Sequence, residues 1–210
     1  MTSSGTRWGG FFSIALALEH PGRVRRLVLI GAPAGLDRPI PLFLRLWGNS
    51  ITGALIRRMR IKDAETFRRR VYPLLVAHPE RVPVDLLEMN VAAAALPGVA
   101  WSAYTMPRSV TTLGGFRRSV MLREELARLA VPTLFLWGDA DGFAPPSSGR
   151  SLVHRMPEAA IEGLADTGHL PHVERPETVA VAATRFLTRD RGEELPEPQP
   201  VGKASVQCTA

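Results

Sequence analysis

Two short, almost uninterrupted apolar runs, Leu27-Val28-Leu29-Ile30 and Thr133-Leu134-Phe135-Leu136-Trp137, set the strongest limit on how this chain folds. Runs of this length without polar alternation suit strands covered on both faces, as in a parallel sheet. Each breaks off sharply, the first into Gly31-Ala32-Pro33-Ala34-Gly35 and the second into Gly138-Asp139-Ala140-Asp141. A third, weaker run, Ala159 to Leu164, leads into Asp166-Thr167-Gly168-His169. Helical stretches are expected at Phe11 to Leu18, closed by His20-Pro21-Gly22, at Leu122 to Leu129, from Pro145-Pro146 to about Arg155, and at Pro176 to Leu187. The pattern predicts an α/β chain, in which ligands bind beyond the carboxyl ends of the strands. A carboxylate, Asp141, and an imidazole, His169, fall at two such ends.

The stretch Gly5-Thr6-Arg7-Trp8-Gly9-Gly10 has the glycine spacing of a nucleophile elbow, in which a strand turns sharply into a helix and holds the central side chain out toward substrate. The central place falls on Arg7. A guanidinium stays protonated and has no lone pair with which to attack a carbonyl, so Arg7 is not a nucleophile. Ser3, Ser4 and Ser13 lack the pattern in any other register.

From Gly5 to Leu187 the chain resembles the carboxyl-terminal two thirds of an α/β-hydrolase fold protein with a helical cap inserted after the strand that follows the elbow. The stretches that carry the resemblance are "GTRWGG", "HPGRVRRLVLIGAPAG", "VPTLFLWGDADGFAPP" and "DTGHLPHVERPETV", in the family's order. The resemblance implies a parallel sheet with flanking helices, a triad acid at Asp141 and a triad base at His169, with Arg7 in the nucleophile position. It makes the Trp8 N–H one oxyanion donor. Family members with Trp after the nucleophile use either serine or aspartate, so the resemblance leaves the ancestral nucleophile open between these. Asp139 lies close to the acid, but the spacing from Trp137 favours Asp141; His172 falls just beyond the base.

The family's early strands and the loop that supplies the second oxyanion donor need about 80 residues of ordinary elements and connections. Met1-Thr2-Ser3-Ser4 are polar where a buried strand would feed the elbow. The expectation is therefore an amino-terminally truncated chain with three parallel strands and one open sheet edge, an edge of the kind that invites self-association. Arg7 followed by the apolar stretch Trp8 to Leu18, with Ala15-Leu16-Ala17 near its end, also has the outline of a secretory signal peptide covering residues 1–17. Two glycines and a serine interrupt that stretch. The favoured expectation is a cytoplasmic protein, the secreted one its alternative.

The expected layout is a core segment at 1–36, a helical cap at 37–119, a second core segment at 120–187 and a disordered, proline-rich tail at 188–210. In the family such a cap covers the active site, which makes Trp47, Met89, Trp101, Tyr104 and Met106 candidates for a substrate pocket. Large apolar residues at helical spacing are more often plain core.

The formal net charge of +6 comes mostly from arginine, lysine occurring only at 62 and 203. These cations are dispersed without an aromatic stacking pattern, which argues against a nucleic-acid site. Cys208 is the single cysteine, so no disulfide framework or thiolate metal site is expected, and no cofactor. No run is long enough to span a membrane. Two readings follow: a hydrolase acting on an ester, lactone or similar small apolar substrate, and a catalytically inactive relative that binds a ligand or partner.

Overall fold

The computed structural model describes residues 2–37, 39–58 and 63–189, apart from the side chains of residues 2–7, 57, 58, 100 and 104. Along the chain run β1 (Thr2–Thr6), α1 (Arg7–Glu19), β2 (Arg26–Ile30), α2 (Leu42–Gly48), α3 (Ser50–Arg58), α4 (Ala64–Arg70), α5 (Val84–Ala94) and α6 (Val99–Val110). The hairpin strands β3 (Thr111–Thr112) and β4 (Gly115–Phe116) follow. The chain then returns through β5 (Thr133–Gly138), α7 (Pro146–Val153), β6 (Ala159–Leu164), α8 (Pro171–Glu174) and α9 (Pro176–Leu187).

β1, β2, β5 and β6 form one parallel sheet in that order, with Gly5 opposite Leu29, Leu29 opposite Phe135 and Phe135 opposite Ile161. Alternate residues along each strand serve opposite faces. Leu27, Leu29, Phe135, Trp137 and Ile161 pack with Ile14 of α1 and Leu152 of α7. Val28, Leu134, Leu136 and Ala160 pack on the other face with Val179, Ala182 and Phe186 of α9. Because both faces are covered, the central strands need apolar residues at successive positions, which is why they read as almost unbroken runs.

β1 corrects the expectation of three strands. Its residues are all small and polar or glycine, yet a parallel ladder is built from backbone N–H and C=O groups, and β2 supplies a complete partner for all five positions. The strand thus runs directly into α1 at Arg7.

One further expectation is shortened. In place of a helix from Leu122 to Leu129 there is a single 3-10 turn, Glu125–Arg128, with Leu126 and Leu129 buried three residues apart. Helix α4 stops at Arg70. Asp63 caps its start by accepting from the Thr66 N–H at 2.7 Å. Its end comes before Pro73, which lies in a separate 3-10 turn, Tyr72–Leu74. α6 and the hairpin after it are additional elements; the interior Pro107 conceals the helix from a sequence reading.

Helices α2 to α6 stand between β2 and β5 in the chain. Leu44 of α2 joins Ala34, Ile40 and Phe116 in a cluster on which Trp8, Phe11 and Phe143 pack. A second cluster, built on Tyr72, Val76, Val82 and Leu87, meets Leu170 and Val173 beside the His169 loop.

Candidate active site

The carboxyl ends of β1, β2, β5 and β6 deliver Arg7, Gly31, Asp141 and His169 to one side of the sheet. His169 Nδ1 lies 2.9 Å from Asp141 Oδ2, and the two side chains are 1% and 0% exposed. The carboxylate only accepts, so Nδ1 carries a proton, and in a ring that holds this proton alone Nε2 is an acceptor.

Asp141 is held by the backbone around it. Its Oδ2 also accepts from the Ala32 N–H at 3.2 Å, and its Oδ1 accepts from Phe143 N–H at 2.8 Å and Ala144 N–H at 3.4 Å. Strand ends from β2 and β5 therefore converge on one carboxylate. Asp139 has a different task, its Oδ1 accepting from the Thr167 N–H at 3.3 Å.

His169 is fixed by its approach loop. Gly31 has φ +73°, and a Cβ there would run into the His169 carbonyl oxygen, so the turn after β2 requires glycine for two reasons. The Phe143 ring sits against the imidazole with centroids 4.3 Å apart. The Glu174 carboxylate accepts from Gly168 N–H at 2.6 Å, Ala77 N–H at 2.8 Å and His78 N–H at 3.1 Å, tying the loop to the segment before α5. His172 is exposed on α8.

His169 Nε2 is buried and has no hydrogen-bond partner among the described residues. His169 lines a small pocket whose walls include Pro33, Ala34, Ile40, Leu44, Phe116 and Phe143. Asp37 is also in its lining. Asp37, Phe116 and Phe143 escape a sequence reading, although the first and last stand in the loops that follow β2 and β5, where ligands are expected.

The other candidates are dispersed. The Arg7 backbone opens α1 at the end of β1; its side chain lies outside the described residues. Trp8 meets Phe11 and Phe116 edge to face, each with centroids 6.0 Å apart. Trp47 is half-buried behind the pocket wall, against the cluster of Ala34, Ile40, Leu44 and Phe116. Met89, Trp101 and Met106 are exposed on α5 and α6 and are not part of that pocket's lining. The Tyr104 side chain lies outside the described residues. Among the described residues no helix is long and apolar enough to cross a membrane.

The family model for the alpha/beta hydrolase fold matches residues 5–176, most of the chain. The chain belongs to the α/β-hydrolase fold family. Within it, the chain is 30% identical over 188 residues to the 2-hydroxymuconate semialdehyde hydrolase of Pseudomonas putida, covering 87% of this chain and 60% of that protein. It is 29% identical to the pimeloyl-[acyl-carrier protein] methyl ester esterase of Aromatoleum aromaticum, covering 82% of this chain and 68% of that one. The solved 2-hydroxy-6-oxo-6-phenylhexa-2,4-dienoate hydrolase of Rhodococcus sp. strain RHA1 superposes with a TM-score of 0.69 at 21% identity, over 90% of this chain and 64% of that one. This α/β-hydrolase chain thus spans about three fifths of the length of the Pseudomonas relative.

Proposed function

We propose that this chain carries the acid–base half of a hydrolase site, Asp141 and His169, and binds a small, mostly apolar carbonyl compound there without hydrolysing it. The observation that carries this reading is the buried His169–Asp141 pair with Nε2 unpartnered at an apolar pocket. In a working site of this kind the histidine takes the nucleophile's proton while the acid fixes its tautomer and stabilises the imidazolium. Asp141 has the bonds for that task. Arg7 stands at the β1–α1 junction in place of a group that can attack, so that position offers the proton-accepting atom no nucleophile. The ancestral reaction is the hydrolysis of an ester, lactone or similar compound, in keeping with relatives named as a semialdehyde hydrolase and a methyl ester esterase.

The test is hydrolysis of p-nitrophenyl butyrate by the purified chain, with Arg7→Ser and His169→Ala as companions. The expected result is no turnover above buffer for the native chain. The Arg7→Ser chain is expected to react with diisopropyl fluorophosphate at position 7, and to lose that reaction when His169→Ala is added. Native turnover that disappears in His169→Ala would overturn the inactive reading. Labelling of Arg7→Ser that ignores His169 would overturn the acid–base assignment.

A further inference from the structure

Asp37 Oδ2 is buried and, like His169 Nε2, lacks a hydrogen-bond partner among the described residues. Both residues line the same pocket. Leaving such an atom unmade is expensive, so two of them at one pocket call for an explanation.

The other oxygen of Asp37 is accounted for. Its Oδ1 accepts from Arg123 Nη1, and Arg123 Nη2 donates to Ser151 Oγ at 2.8 Å, so the carboxylate is held with one face committed to a cation. The loop that carries Asp37 is itself anchored, Leu122 N–H donating to the Gly35 carbonyl at 2.9 Å. Asp37 is therefore held in a fixed position at the pocket.

Of the described residues around the pocket, Asp37 and His169 alone have polar side chains; the others are Ala, Pro, Leu, Ile and Phe. A carboxylate oxygen accepts, and so does Nε2 of a neutral ring whose Nδ1–H faces Asp141. The pocket thus offers two acceptors on apolar walls and asks its ligand for a donor.

We infer that Asp37 is a ligand-binding residue which selects a hydroxyl group on a short apolar frame, so that the carbonyl compound taken by this site is a hydroxyl-bearing one. The inference rests on the reading of this pocket as the ligand site. A neutral hydroxyl suits Asp37 better than an ammonium group, because Arg123 already balances the carboxylate's charge.

The probes are 1-butanol and its isomer methyl propyl ether, which match in size and differ in the O–H donor, with butylammonium as a third. Each is titrated into the labelled chain while the amide signals of Ala34 and Phe143 and the His169 ring are followed by NMR. 1-Butanol is expected to shift all three saturably and to bind at least about fivefold more tightly than the ether. In Asp37→Asn, Arg123 as a pure donor keeps the amide oxygen, and the amide nitrogen is turned to the pocket. That nitrogen donates to an ether, so the alcohol preference is expected to fall to about one.

Equal binding of alcohol and ether by the native chain, tighter binding of butylammonium, or a preference that survives Asp37→Asn would each overturn the inference. The native comparison decides alone if the variant does not fold. Shifts at His169 without an alcohol preference would sink this inference and leave the ligand site standing; no shifts at these residues would sink both. Neither outcome depends on whether Arg7→Ser reacts.

Discussion

His169 Nδ1 and Asp141 Oδ2 face each other at 2.9 Å across two loops that leave different strands. Asp141 is the hub of this arrangement, since Ala32, Phe143 and Ala144 also direct their N–H groups at its carboxylate. Asp141→Ala removes the acceptor from four donors at once, in a place water does not reach. The expected cost is about 3 kcal/mol, seen as a lower urea midpoint with an unchanged slope. A loss below about 1 kcal/mol would mean that the strand ends are held together by something else.

Gly31 tests how closely β2 approaches the histidine loop. With φ +73° and the His169 carbonyl in the way of a Cβ, Gly31→Ala is strained in its own backbone and displaces its neighbour. A loss of about 2 kcal/mol or more is expected, read as a fall in Tm. Gly22 has open space where its Cβ would go, so Gly22→Ala serves as the control and is expected to stay within about 0.5 kcal/mol.

Glu174 joins the His169 loop to the segment that precedes α5 through three backbone N–H groups. Glu174→Ala is expected to speed hydrogen exchange at Gly168, Ala77 and His78 by about tenfold or more, with amides of β5 unaffected. Uniform acceleration across the chain would point to global destabilisation instead.

The same junction carries a pH dependence. His78 Nε2 lies 2.6 Å from Asp166 Oδ1 and His78 Nδ1 lies 3.0 Å from Glu80 Oε1, while Arg81 and Arg175 approach Asp166 at 3.5 and 3.9 Å. The bond to Asp166, and then that to Glu80, raise the His78 pKa above its ordinary value; the bond from His78 lowers that of Asp166. A raised base stabilises the fold fully below its unfolded pKa and loses that contribution as pH rises through the folded one. A lowered acid contributes above its unfolded pKa and loses it as pH falls through the folded one. The contact is therefore tightest between the lowered Asp166 value and the raised His78 value. NMR titration of His78 is expected to give a midpoint above about 6.5, returning toward it in Asp166→Asn. An unchanged midpoint in that variant would remove Asp166 as the cause.

The central strands were legible because burial on both faces leaves a local mark: β2 and β5 carry apolar side chains at successive positions, and glycine ends each run. Asp141 and His169 were legible for a related reason, since each follows the end of a strand. β1 was not, because its pairing is made by the backbone and its side chains are those of an ordinary turn. That the cap candidates Met89, Trp101 and Met106 are exposed in this structure was not legible either, because residue type does not say which face of a helix meets solvent.

The amino-acid order by itself thus determined the class of sheet, the strands at its centre, and the strand ends at which Asp141 and His169 stand. Only the tertiary structure decided that Asp141 and His169 meet, that Asp37 from a third loop shares their pocket, and that Phe116 and Phe143 wall it. Periodicity and punctuation record what a residue does within its own element. A pocket is made where loops remote in the chain converge, and that convergence is settled by the register and order of the strands beneath them.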